Sequence, residues 1–245
     1  MLRFDQMENL KRHFRITDQS PQDLSFQSVK ELLDPHVCLT FLKQVSKKFQ
    51  THSLVVTASQ FAKCYSFMLV PPTLYAMSVY HKGLSIEPNN CYIQSMDEGG
   101  YWLPRLALVD WNIDQPIEER ARWREQQLKQ LFAGNLAKVW DVLHRCTGIH
   151  PMILWENTVV YVRWFYTEFL PQFEEQKDAQ DDYQFLIQQA TPELFGVSYQ
   201  PMKKFFSKDG VRKTCCLYFL TTKEKSLCKG CPRQQHHKPQ SLVMT

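Results

Sequence analysis

Four of the chain's eight cysteines fall in one short stretch near its end, "RKTCCLYFLTTKEKSLCKGCPR", Arg212 to Arg233. Two are adjacent, Cys215 and Cys216, and two form a CxxC, Cys228 and Cys231. Such a segment constrains the fold strongly, because gathered thiols must bond to one another or be held by a shared group. A disulfide between neighbours closes a strained ring, and a reducing compartment opposes it. A tetrahedral zinc site is served on one side by Cys228 and Cys231, with Gly230 permitting the tight turn between them. The vicinal half fits less well, since consecutive side chains diverge and need an unusual backbone to grip one ion. A [2Fe–2S] cluster needs four thiolates, two on each iron, and more than one division of the cysteines would serve it. Spacing alone leaves zinc and iron–sulfur both open.

Charge gathers at the same place. Residues 201–245 carry ten Lys or Arg against Asp209 and Glu224, while residues 1–200 carry 19 basic and 23 acidic side chains. The basic end is therefore about +8 and the rest about −4, hidden within a net +4. A solvated or nucleic-acid-binding tail has this composition, and so does the surround of an anionic metal–thiolate centre. Arg212, Lys213, Lys225, Lys229 and Arg233 would neutralise such a centre and raise its potential. His236 and His237 read as a solvated pair beside a complete set of thiols. Cys38, Cys64, Cys91 and Cys146 stand singly and read as packing residues.

The chain of 245 residues is long enough to bury a sizeable core. The longest apolar run, "CYSFMLVPPTLYAMSVY", is split by Pro71 and Pro72, so no transmembrane helix is expected. The first residues mix charges through every turn and carry no signal-peptide core. Both observations point to the cytoplasm, where thiols stay free.

Apolar spacing predicts helices over "MENLKRHF", "DLSFQSVKELLD" (capped by Asp23 and ending before Pro35), "HVCLTFLKQVSKKF" and "TASQFAKCYSFMLV". "LSIE", "CYIQSM" and "YWLPRLALVDW" read as strands separated by turn residues. A long helix is expected from about Ile117 to Cys146, with Glu118 and Glu119 in its first turn, and another from Pro151 to Pro171. The acidic stretch Glu174 to Asp182 leads into a shorter helix through Ile187, and Thr191-Pro192 opens one more turn. The expected fold is α+β: a mainly helical domain with a small antiparallel β-meander and a C-terminal cysteine-rich segment. The expected boundary lies near residue 200, giving a main domain over 1–199 and a cluster-binding segment over 200–245.

With these residues in view, the segment resembles the FhuF-type ferric siderophore reductases. That family carries a vicinal cysteine pair preceded by basic residues, then a loop, then CxxC at the end of a chain of this length. The loop here, Leu217 to Leu227, is one residue longer than the family's usual spacing. "YQPMKKFFSKDGVRKTCC", Pro232 and "GIHPMILWENTVVYV" (148–162) extend the resemblance. It implies that Cys215, Cys216, Cys228 and Cys231 hold a [2Fe–2S] cluster. It implies one-electron reduction of Fe(III) in an imported ferric siderophore, hydroxamate or citrate type, with Fe(II) released in the cytoplasm. Fe(III) is hard and tightly held by such oxygens, and Fe(II) far less so. The main domain also resembles the C-terminal part of aerobactin-type siderophore synthetases, which implies a siderophore-sized cleft between meander and helices.

Such chemistry needs no nucleophile or acid–base pair, because the cofactor carries it. Arg212 and Lys213 are candidates to draw in an anionic substrate, or else to neutralise the cluster. Trp102, Arg105, Trp155, Asn157 and Arg163 are candidates to line the cleft, although a Trp and an Asn in an apolar helix also read as a core anchor and its satisfied amide. No nucleotide-binding glycine fingerprint occurs, so electrons are expected from an external ferredoxin, flavodoxin or reductase. Neither nucleic acid nor a membrane span is expected, while the basic end would permit peripheral membrane contact. The competing readings are a zinc-stapled basic binding module and an iron–sulfur relay or sensor without siderophore specificity.

Overall fold

The computed structural model describes residues 2–23, 25–116, 119–173, 177–207, 209–221 and 226–237. Helices α1 (Phe4–His13), α2 (Pro35–Lys48) and α3 (Leu54–Tyr80) alternate with strands β1 (Ile16–Thr17) and β2 (Phe26–Ser28). The strands β3 (Gly83–Leu84), β4 (Cys91–Gln94), β5 (Asp97–Glu98), β6 (Tyr101–Trp102), β7 (Arg105–Leu108) and β8 (Ile113–Asp114) follow. Then come α4 (Arg120–Lys129), α5 (Ala137–Thr147), α6 (Pro151–Trp164), α7 (Lys177–Gln184), α8 (Pro192–Phe195) and α9 (Pro201–Phe205). The chain is mainly helical with a small sheet, as the sequence predicts.

The centre of the molecule is α3. Ser53 caps it by accepting from the Val56 N–H at 3.4 Å, and His81 ends it in the left-handed region, φ 52°. The sequence predicts a stop before Pro71, but the helix runs through both prolines. Each proline costs a helix interior about 3 kcal/mol. Leu69, Val70, Leu74 and Met77, on both sides of the break, are fully buried, and each such side chain contributes about 1.5–3 kcal/mol. Burial outweighs the missing donors, and the Thr73 hydroxyl binds the Leu69 carbonyl at 2.7 Å. Packing against α3 are α6, α2, α5 and α7.

The main sheet runs β1-β7-β4-β2. Its heart is the antiparallel β4–β7 pair, with Cys91 opposite Leu108 and Ile93 opposite Leu106. The predicted meander is only partly right, because β1 joins β7 in parallel and β2 joins β4 antiparallel. The third predicted strand divides at Leu103-Pro104, so that β6 pairs with β5 and β7 enters the main sheet.

The helix predicted over "DLSFQSVKELLD" is absent. Asp23 accepts from the Ser25 N–H at 2.8 Å in a tight turn, and β2 and a short 3-10 turn, Glu31–Leu33, follow. Asp34 then caps α2, accepting from the His36 and Val37 N–H groups at 2.8 and 3.1 Å. Ile117 and Glu118 lie outside the described residues, and the helix begins at Arg120 with Glu119 as its cap residue. Three helices pass into wider π turns, Gln130–Leu136, Phe165–Phe169 and Phe185–Gln189. Met202 and Phe205 of α9 join the same core as α3 and α6. No described helix is long and apolar enough to cross a membrane.

Candidate metal centre and adjoining cleft

His150 and Pro151 start α6, and its next turn places Glu156 and Asn157 in the interior, 2% and 0% exposed. These two side chains dock the segment that precedes the vicinal cysteines. Glu156 accepts from the Lys213 N–H at 2.6 Å, the Thr214 N–H at 2.7 Å and the Thr214 hydroxyl. Asn157 accepts from the Arg212 guanidinium at 2.7 Å and donates to the Ser59 carbonyl at 3.0 Å. From α3, the Ser59 hydroxyl and the Gln60 amide both donate to the Cys216 carbonyl, at 2.7 and 2.6 Å. Two helices therefore fix the backbone on either side of Cys215.

The CxxC loop is clamped to the same platform. The Arg212 N–H donates to the Gly230 carbonyl at 2.9 Å, and the Cys231 N–H closes the loop onto the Cys228 carbonyl at 3.0 Å. Gly230 is needed here for close approach, since a Cβ there would lie 2.6 Å from the Gly210 carbonyl oxygen. Leu217, directly after the vicinal pair, is in the left-handed region, φ 62°, a conformation that costs a side-chain-bearing residue about 1–3 kcal/mol. An unusual backbone is therefore present, directly after the vicinal pair.

The Cys216 sulfur lies 3.5 Å from that of Cys228. Cys215 accepts from the Leu217 N–H at 3.4 Å, and the Cys216 and Cys231 sulfurs both lie near enough to help raise its thiol. Among the described residues no three of His, Cys, Asp or Glu are arranged to hold a single ion. One sulfur of the vicinal pair thus meets one sulfur of the CxxC across the two loops.

Cys216 and Cys228 share a hydrogen bond that favours the thiolate on Cys216 and keeps Cys228 protonated; Lys63, Arg212 and the Tyr218 N–H add to the pull on Cys216. Burial is the largest influence on Cys215 and pushes its thiol up. Arg212 is 7% exposed, and its buried Nε–H has no hydrogen-bond partner; the nearest Glu156 oxygen is 3.7 Å away. Four thiols, a buried guanidinium with a spare donor and a loop closed by glycine make a donor set suited to an anionic metal–sulfur group.

A cleft of about 1100 Å³ opens beside these thiols, with Lys229 and Gly230 of the CxxC loop in its wall. Arg15, Lys63 and Arg163 line it together with Tyr161, Trp164 and Tyr218. Lys63 stands 4.9 Å over the Tyr218 ring, and Arg15 lies 5.1 Å over that of Phe67. Among the described residues no carboxylate forms an ion pair with Arg15, Lys63 or Arg163. A smaller hollow of about 500 Å³ continues past Arg15 and Phe67 to Arg105.

The structure brings together Cys215, Cys216, Cys228, Cys231, Arg212, Asn157 and Arg163. Arg212 and Arg163 also line the cleft. The Lys213 ammonium turns to the Lys204 carbonyl. Trp102 is buried, donates to the Ser95 hydroxyl at 2.9 Å and borders a separate hollow with Tyr101 and Tyr218. Trp155 is 1% exposed and packs on Phe132 and Phe195 in the core. Lys225 and the side chains of His236 and His237 lie outside the described residues. Sequence reasoning missed Glu156, Gln60, Lys63 and Arg15. A glutamate inside the apolar run "ILWENTVVYV" was a usable signal, since a buried charge needs partners. Nothing local marks Arg15 or Lys63, which reach the site only through the fold.

Residues 59–202 match the family described as "Ferric iron reductase FhuF-like transporter". The chain belongs to this family. The match covers more than half of it and ends just short of the cysteine segment, so the FhuF-like part contributes the platform: Ser59, Gln60, Lys63, Glu156, Asn157 and Arg163. The "Ferric siderophore reductase" of Escherichia coli (strain K12) is 19% identical over 167 residues, covering 66% of this chain and 61% of that protein. The chain thus spans about three-fifths of the length of that curated relative.

Proposed function

We propose that this FhuF-like chain reduces the Fe(III) of a ferric siderophore by one electron and releases Fe(II), acting where thiols stay reduced, in the cytoplasm. The observation that carries the reading is the shared wall: the loop holding Cys228 and Cys231 is also a side of the large cleft. Cys215, Cys216, Cys228 and Cys231 would hold a [2Fe–2S] cluster, which supplies a one-electron carrier when bound. The match to an iron-reductase family supports this group over a single zinc ion, and the spare Arg212 donor suits the negative charge that such a group carries.

The chain's own residues then do three things. Glu156, Asn157, Ser59 and Gln60 hold the thiol segment in place, so donor and acceptor meet at a fixed separation. Arg212 and Lys63 set positive charge beside the sulfurs, which favours taking up an electron. Arg15, Lys63 and Arg163 offer charge, and Tyr161, Trp164 and Tyr218 offer ring faces, to a bulky oxygen-rich chelate. Hydroxamate and citrate complexes have that chemistry. The electron reaches the chain from an external ferredoxin, flavodoxin or reductase.

The test is direct. Anaerobically purified protein is expected to be red-brown, with about two irons and two sulfides per chain. Chemically reduced and mixed with ferric hydroxamate or citrate and a ferrous chelator, it is expected to yield the ferrous complex while its visible bands return to the oxidised form. Colourless protein with stoichiometric zinc, or no ferrous product from any ferric chelate, would overturn the proposal.

A further inference from the structure

We infer that the two irons divide the cysteines crosswise: Cys216 and Cys228 on one iron, Cys215 and Cys231 on the other. The inference rests on the cluster reading above and adds which thiols act together. Sequence alone leaves open whether the CxxC grips one iron and the vicinal pair the other, or each half supplies both irons. The fold favours the crossed arrangement for two reasons.

The first is distance. Two thiolates on one tetrahedral ion, with metal–sulfur bonds of about 2.3 Å, stand about 3.8 Å apart. The Cys216–Cys228 separation of 3.5 Å already lies near that value. The second is backbone direction. Leu217 takes a left-handed turn, φ 62°, and its N–H points back to the Cys215 sulfur at 3.4 Å. Cys216, held by its carbonyl to Ser59 and Gln60, brings its sulfur to Cys228 of the CxxC loop. Crossed pairing would let the group bridge the two loops and tie them together.

A consequence follows for the electron. Lys63 and Arg212 act on the Cys216 and Cys228 sulfurs, and Lys63 also lines the cleft. An iron held by that pair would lie nearer these two positive charges, which would favour placing the added electron there.

Four single variants, Cys215→Ser, Cys216→Ser, Cys228→Ser and Cys231→Ser, test this by midpoint potential and by the electron paramagnetic resonance of the reduced state. Serine on the electron-bearing iron lowers the potential more than serine on its neighbour. Cys216→Ser and Cys228→Ser are expected to share one spectrum and the larger negative shift, and Cys215→Ser and Cys231→Ser to share another with a smaller shift. Grouping of Cys215 with Cys216, or of Cys215 with Cys228, would overturn the inference.

A variant without its cluster gives no spectrum to group, so a second measurement uses cluster-free chain with two thiols left among the four and mild diamide oxidation, read by mass spectrometry. Chains keeping Cys216 with Cys228, or Cys215 with Cys231, are expected to form a disulfide at least tenfold faster than chains keeping Cys215 with Cys228 or Cys216 with Cys231. Equal or reversed rates would overturn the pairing. Iron and sulfide content of the wild-type chain separates the two failures. Absence of both sinks the cluster reading, while a normal cluster with the wrong grouping sinks only the pairing.

Discussion

Gly230 joins the thiol segment to the rest of the molecule at its tightest point. A methyl group there would meet the Gly210 carbonyl oxygen at 2.6 Å, and a backbone atom cannot swing aside as a side chain does. Overpacking of this kind costs about 1–3 kcal/mol. The strain would fall on the Arg212 N–H to Gly230 carbonyl bond that aligns the two cysteine loops. Gly230→Ala is therefore expected to lower iron per chain by at least half while leaving far-ultraviolet circular dichroism unchanged. Iron analysis of anaerobically purified protein checks it, and full iron content would show that the loops tolerate a shift. The sequence marks this glycine as a turn former, and the structure gives a different reason for it, because the oxygen it approaches lies twenty positions earlier in the chain. Glu156 is the opposite case. It is readable in principle as a charge within an apolar run, but Trp155 and Asn157 beside it look more like cleft residues.

Helix α7 shows how an element is fixed by one side chain. Asp182 on it is fully buried and takes both Arg120 nitrogens of α4 at 2.7 Å, with Arg124 at 3.5 Å. The Ser78 hydroxyl of α3 donates to the same carboxylate at 2.8 Å. Removing one member of such a buried group leaves uncompensated charge and costs about 3–5 kcal/mol. Asp182→Asn is expected to destabilise the protein by that amount in urea unfolding, and a loss under 1 kcal/mol would show that the arginines find other partners. Its sequence context, at the end of an acidic stretch, suggests a solvated face, so the burial was not legible. The π turns were hidden for a related reason. Apolar spacing near 3.6 residues fits α and π segments alike over so few residues, and the longer turn appears only when packing selects it. Pro71 and Pro72 misled in the other direction: their local cost is real, and the tertiary burial that overrides it is not written next to them.

At the scale of the molecule, the mainly helical class, the β4–β7 pair and the α6 helix were legible because each rests on local periodicity. The cleft was not, since Arg15 precedes β1, Lys63 lies on α3 and Arg163 on α6, and only the fold brings them to one wall. The interior also sets how the whole chain responds to alkali. Burial pushes the Cys38 thiol up to about 12 and the Cys64 thiol up to about 11, and raises that of Cys91. Above about pH 9 the unfolded chain releases these protons while the folded chain keeps them, so the unfolded state gains and stability falls as pH rises. The melting temperature of the cluster-free chain is expected to drop steadily from pH 8.5 to 10.5, and a flat profile would contradict the burial of these thiols. The cleft makes the last prediction. Lys63 has no carboxylate partner among the described residues, so its charge is free to meet substrate. A charge-assisted contact contributes about 1.5–3 kcal/mol, which corresponds to roughly 10–100-fold in binding. Lys63→Gln is expected to raise KM for an anionic ferric citrate or hydroxamate complex by about that factor, and to raise it little for a neutral one. Added salt is expected to raise KM of the wild type for the anionic complex and to have less effect on the variant, because the screened charge is gone. Lys63 also stands beside the Cys216 and Cys228 sulfurs, so the same variant is expected to lower the midpoint potential. If the potential shifts and KM for the anionic complex does not, Lys63 serves the thiols alone and the cleft's charge acts through Arg15 and Arg163.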